Sequence, residues 1–138
     1  LMRLGLPERI RSRFSVEQMI PAAGQGALGI EIRAEQRELA ERLSELIDTP
    51  TWLTVHAERA VSRTLGGSCS VPLAAHAVWR DGQMSLTAAI GHPERSDAPL
   101  LKSEAVGAVA DVTQAEALGA AAAAQLLDQG AAGYLPPA

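Results

Sequence analysis

Two alternating runs on either side of Asp81-Gly82 dominate the middle of the chain. Val71, Leu73, Ala75, Ala77 and Trp79 alternate with Pro72, Ala74, His76, Val78 and Arg80, and beyond the turn Met84, Leu86, Ala88 and Ile90 fall at every second position. A period of two marks a strand with one apolar face, and Asp-Gly between two such runs marks a two-residue hairpin turn. That loop length fixes the register: Trp79 faces Met84, Ala77 faces Leu86, Ala75 faces Ala88 and Leu73 faces Ile90. All four pairs are apolar, so pattern and turn agree.

Helical spacing surrounds the hairpin. Leu39, Leu43, Leu46 and Ile47 share one face of a helix predicted over 35–47, with Glu38 and Arg42 paired four apart outside it. Asp48-Thr49-Pro50 closes that helix and opens another over 50–65, with Thr49 as N-cap and Pro50 at the first helical position. Leu53, Ala57, Ala60, Val61 and Leu65 face inward on it, Arg59 and Arg63 share a second stripe, and Gly66-Gly67 supply the stop. After a proline-containing loop, 100–106 reads as a third, less regular strand. Thr113-Gln114-Ala115-Glu116 is a capping box that starts a final helix over 114–129, ended by Gly130. Upstream, 1–14 reads as a short amphipathic helix and turn, and Leu28, Ile30 and Ile32 alternate as in a strand over 27–33. The second half is thus α-β-β-β-α, an α+β fold with helices on one face of a small antiparallel sheet.

Composition constrains how such a core is built. Among 138 residues, 47% are hydrophobic and 20% charged, as in a soluble globular domain. One Phe, one Tyr and two Trp leave alanine to fill the interior, so the helices must touch closely. No apolar run approaches the ~20 residues that span a bilayer, and no export signal opens the chain; the expected compartment is the cytoplasm. Leu1 stands where no initiator methionine does, mid-pattern, which suggests the C-terminal piece of a longer protein. Net charge is -4, yet Arg3, Arg9, Arg11 and Arg13 cluster near the start against Glu8 alone. Such a cluster is either a solvated helix face or a local attraction for an anion; nucleic acid needs a wider basic surface.

Few residues carry candidate chemistry. Gly24-Gln25-Gly26-Ala27-Leu28-Gly29 satisfies GxGxxG, but a strand pattern follows it where a dinucleotide fingerprint requires a helix. His56, His76 and His92 are too widely spaced for a metal motif, and one cysteine excludes both an internal disulfide and a zinc cage of thiolates. Glu58 reads as a structural or surface residue and Asp81 as a turn residue. Cys69 follows a helix C-terminus, whose partial negative charge disfavours a thiolate; only Arg59 or Arg63 could offset it. A neutral thiol serving as a point of covalent attachment tolerates that position. The alternatives are a small regulatory or ligand-binding domain with Cys69 merely packed in a turn, and a redox-sensing thiol protein.

Three motifs in order resemble the porphobilinogen deaminase (hydroxymethylbilane synthase) family: Arg3-Leu4-Gly5 with Arg9-Ile10-Arg11, the run 21–31 containing Gly24-Gln25-Gly26, and His56-Ala57-Glu58-Arg59-Ala60 followed by Leu65-Gly66-Gly67-Ser68-Cys69 and Val71-Pro72. Ser68 departs from the glycine that many members have there. The resemblance implies a transferase that polymerises four porphobilinogen molecules into hydroxymethylbilane with release of ammonia. The terminal pyrrole of a dipyrromethane cofactor attacks each azafulvene formed. It implies Cys69 as the thioether anchor of that cofactor, Arg59, Gln25 and Gly26 as cofactor-binding, and Arg3 and Arg59 as substrate-binding, since guanidinium forks suit the acetate and propionate of every ring. It further implies that 1–20 end a second domain, that 21–48 are a strand and helix of a first domain, both of the α/β periplasmic-binding-protein type, and that 49–138 are a complete third domain. The catalytic aspartate is then expected in the N-terminal half, outside this chain. The expected partners are porphobilinogen, its oligomers and that missing half, in a monomeric enzyme without nucleic acid or membrane.

Overall fold

Strand β1 (Leu73–Arg80) and strand β2 (Gln83–Ile90) form the hairpin in the register the alternation demands, with Trp79 on Met84, Ala77 on Leu86, Ala75 on Ala88 and Leu73 on Ile90. In this computed structural model, which describes residues 1–66 and 71–136, Asp81 has φ 50° and Gly82 φ 77°. Two left-handed residues in succession are what a tight hairpin of this twist needs, and aspartate is among the few side chains that accept the first position. Strand β3 (Leu101–Gly107) lies one residue beyond its predicted span and pairs antiparallel with β2, giving the order β1-β2-β3.

The helices close one face of this sheet. Helix α2 (Thr49–Thr64) buries Leu53, Ala57, Ala60 and Val61, and helix α3 (Val112–Asp128) buries Ala115, Ala122, Ala123 and Leu126, against Met84, Leu86 and Ile90 of β2. The five inward positions predicted on α2 and just beyond it are all buried. Contact between the two helices depends on Gly119: a Cβ there would lie 2.2 Å from the carbonyl oxygen of Ala57 and 2.7 Å from the Cβ of Ala60. Backbone therefore meets backbone, which is how a core poor in aromatics reaches interior packing density. Gly130, at φ 95°, ends α3 as expected, and the following turn is secured by the Tyr134 hydroxyl, which donates to the Pro99 carbonyl at 2.8 Å.

Both helix starts differ from the sequence reading. Asp48 caps α2, its carboxylate accepting from the Thr51 N–H at 3.0 Å, so Thr49 is the first helical residue and Pro50 the second. Asp111 caps α3 by accepting from the Gln114 N–H at 2.8 Å, and the Gln114 side chain reaches back to the Ala110 N–H at 2.8 Å. This resembles a capping box two residues upstream of the one predicted, except that Gln114 returns to the residue before the cap, and the acidic cap is favoured by the helix dipole; Glu116 is thereby released for other work.

The first 48 residues depart further. In place of an amphipathic helix over 1–14 there are two 3-10 turns, Met2–Leu4 and Pro7–Arg9, with no buried residue. Helix α1 is confined to Arg37–Ser44, and the Glu38–Arg42 pair forms at 2.6 Å. Over 27–33 no strand forms, and Leu28 and Ile30 are 98% and 63% exposed. Strands exist by pairing, and no described strand runs beside this segment.

Replacing Gly119 with alanine sets a helix-propensity gain of about 1 kcal/mol against a clash with backbone that cannot yield. Overpacking costs about 1–3 kcal/mol, and contact with a backbone oxygen at 2.2 Å places this site at the upper end, above that gain. Denaturant titration of Gly119→Ala is expected to show a lower midpoint with an unchanged slope.

Candidate functional site

Strand β1 lies at the edge of the sheet, where unpaired backbone groups need cover. Two are covered from upstream. The Ala75 N–H donates to the Pro21 carbonyl at 3.1 Å, and the Ala77 N–H donates to Glu58 Oε1 at 2.8 Å. The second oxygen of Glu58 accepts the Gly24 N–H at 2.7 Å. One carboxylate, 5% exposed, thus joins α2, the edge of β1 and the glycine turn. His76 Nδ1 stands 3.5 Å from the same carboxylate. A carboxylate this deep is tolerable only with such charge-assisted partners. The surface option for Glu58 is therefore excluded and the structural one holds. The signal was its spacing, since Glu58 stands three before Val61 and seven before Leu65, on the inward face.

The turn that Glu58 holds carries two of the predicted site residues. Gly24 and Gly26 have φ of 73° and 88°, in the left-handed region that glycine alone enters freely. Gln25 lies exposed between them, with its side-chain oxygen accepting from the Ala22 N–H at 3.2 Å, so it braces its own turn. Beside this turn a cleft of about 760 Å³ runs between 23–32, the end of α1 and helix α2, with Gly24, Trp52 and Arg59 among its walls. Arg59 is exposed and makes no ion pair among the described residues. Gln25 and Gly26 neighbour the cleft in sequence without lining it. Arg3 lies on the exposed Met2–Leu4 turn, and no ion pair among the described residues joins it to the others. Cys69 lies outside the described residues.

Arg63, the other arginine of the stripe, is engaged. Its Nη2 lies 2.8 Å from Glu116 Oε1, and His56 Nδ1 lies 3.0 Å from the same oxygen. The ring of Trp52 tilts onto that of His56 at a centroid distance of 4.5 Å. Hydrogen bonding to His56 above all, with the nearby Arg63 charge, holds the Glu116 carboxyl below the usual carboxylate range, against the opposing effect of desolvation. His92 closes its own loop, accepting from the N–H groups of Glu94 and Arg95 at 3.2 and 3.1 Å. The three histidines occupy a helix, a strand and a loop. Chemically, the arrangement offers the guanidinium of Arg59, without an ion pair among the described residues, on the wall of a mostly apolar cleft and on the helix that precedes Cys69 in sequence. That is a fork for a carboxylate.

A family model described as porphobilinogen deaminase, C-terminal domain, matches residues 52–128, and one described as porphobilinogen deaminase, dipyromethane cofactor binding domain, matches residues 1–41. The porphobilinogen deaminase of Burkholderia vietnamiensis is 52% identical over 131 residues, which are 95% of this chain and 39% of that protein. Those of Albidiferax ferrireducens and Thiobacillus denitrificans are each 50% identical, over 91% and 98% of this chain and 40% and 42% of their own lengths. The chain spans about two fifths of the length of the curated relatives it matches.

Glu58→Gln keeps one acceptor oxygen but turns an N–H2 towards the second donor. It is expected to cost about 1.5–3 kcal/mol, the range for a hydrogen bond to a charged group, and to speed amide exchange at Gly24 and Ala77. Acid gives a second expectation. Because Glu116 is depressed in the folded state, its stabilisation is complete above the unfolded-state value and disappears as pH falls through the folded one. Glu116→Gln should remove that part of the acid-side decline in thermal midpoint and leave the part due to Asp48, which the Thr51 side chain and N–H depress in the same direction.

Proposed function

The chain belongs to the porphobilinogen deaminase family, transferases of porphyrin biosynthesis, and from that premise we propose that it is the cofactor-anchoring portion of a hydroxymethylbilane synthase. The reaction joins four porphobilinogen molecules head to tail and releases ammonia at each addition. Dipyrromethane is the cofactor, in keeping with the description of the family model matched by residues 1–41; when bound, it supplies the nucleophilic pyrrole carbon on which the chain grows. Cys69 is its proposed thioether anchor, on the strength of the motif over 65–72.

The observation that carries this reading is Arg59. Dipyrromethane and porphobilinogen present an acetate and a propionate on each ring, and the donor set suited to them is an unpaired guanidinium. Arg59 meets that condition while its neighbour Arg63 does not. From Arg59 to the end of α2 at Thr64 is five residues, about 8 Å at 1.5 Å per residue. Cys69 follows five residues later in the sequence. Glu58 keeps the Gly24 turn against α2, so turn and guanidinium bound the same cleft. Arg3 is assigned to substrate, and Gln25 and Gly26 to the cofactor, by motif alone.

Residues 1–20, 21–48 and 49–138 are read as the end of a second domain, a strand and helix of a first, and a whole third domain. Leu28, Ile30 and Leu46, 98%, 63% and 71% exposed, support a face on 21–48 that packs on the N-terminal half of the enzyme. That half brings the catalytic aspartate; the complete protein is read as a cytoplasmic monomer.

Two measurements test this. The chain alone is expected not to consume porphobilinogen, and turnover by it contradicts the division of labour. In the assembled enzyme, Arg59→Lys keeps the charge and loses the fork, so KM for porphobilinogen is expected to rise about tenfold, the equivalent of one charge-assisted hydrogen bond. An unchanged KM removes Arg59 from the site.

A further inference from the structure

Arg59 and Arg63 stand four apart on α2, a spacing that puts their Cβ atoms about 5–6 Å from each other. Nothing in their own helix distinguishes them. The difference comes from α3, where Glu116 Oε1 takes Arg63 at 2.8 Å and His56 at 3.0 Å. His56 and Arg63 are two helical turns apart, so one carboxylate receives both from the same side of α2. Trp52, four residues before His56, steadies the imidazole at 4.5 Å. An isolated surface pair contributes little, but a shared acceptor with a packed second donor is a network.

Resting on the carboxylate-binding role of Arg59, we propose that Glu116 is a positioning residue that partitions the two guanidiniums of α2, holding Arg63 on α3 and leaving Arg59 as the fork for a substrate carboxylate. With both free, two like charges a turn apart would repel and would offer an incoming carboxylate two competing seats. With one held, the carboxylate has a single register relative to the helix that leads to the anchor. The network thus acts on substrate pose as well as on helix packing.

The test follows the guanidinium groups of the whole chain by nitrogen-15 NMR. In the unsubstituted chain, Nη rotation of Arg63 is expected to be about tenfold slower than that of Arg59, as one charge-assisted hydrogen bond implies. Glu116→Gln should bring Arg63 to the rate of Arg59. Equal rates in the unsubstituted chain, or a slow Arg63 in the variant, overturn the proposal; because the first comparison needs no variant, misfolding of Glu116→Gln cannot shelter it. Porphobilinogen is then added as the probe. Arg59 alone is expected to shift in the unsubstituted chain and both arginines in the variant. A shift of Arg63 in the unsubstituted chain, or a silent Arg63 in the variant beside a responding Arg59, also overturns it. An Arg59 that responds in neither protein counts against the carboxylate reading of the previous section, and the rotation rates then decide the partition by themselves.

Discussion

The structure turns on a buried carboxylate with two backbone partners. Glu58 accepts from Gly24 on one side and from Ala77 on the other, and those bonds hold the upstream segment along the free edge of the sheet. Without that clamp, β1 would present open donors at its edge and the glycine turn would have only its own short-range bonds. With it, a segment that has no pairing partner of its own is placed against α2, and the cleft that Arg59 borders acquires a second wall. The desolvation of a carboxylate is offset only because both oxygens are used.

Helix α2 is correspondingly constrained on three sides. Towards β1 it is fixed by Glu58, towards α3 by the close approach at Gly119 and by the His56–Glu116–Arg63 network, and near its start by the indole of Trp79, which donates to the Pro50 carbonyl at 3.3 Å. Alanine and glycine at the helix crossing are what let these fixings act together, since bulkier residues would hold the helices too far apart. A helix held this firmly suits the role proposed for Arg59, which must present its guanidinium in one place. Rigid elements hold functional groups more accurately than loops do.

Local pattern carried some of this and could not carry the rest. The hairpin was legible because a period of two and a two-residue turn give independent statements of register that agree. The inward face of α2 was legible for the same reason at a period of 3.6. Both caps were displaced because aspartate and threonine compete for that role, and the choice depends on which side chain reaches the third N–H of the helix. The run 27–33 has strand pattern without a strand, since pairing is a property of a neighbour and not of the segment. Glu58 was half legible: its helical position pointed inward, but its partners lie 34 residues before it and 19 after it. Arg59 and Arg63 were indistinguishable until Glu116, 53 residues beyond Arg63, separated them.

On the proposed reading, a small sheet, a pinned helix and the guanidinium of Arg59, without an ion pair among the described residues, precede the single thiol that serves as anchor. The measurement that reaches this claim most directly is peptide mass mapping of the assembled, active enzyme after trypsin, on the fragment 64–80 released by cleavage after Arg63 and Arg80. The account predicts that this fragment carries the mass of dipyrromethane, with fragmentation placing it on Cys69. An unmodified fragment 64–80 from enzyme that is turning over porphobilinogen would contradict it.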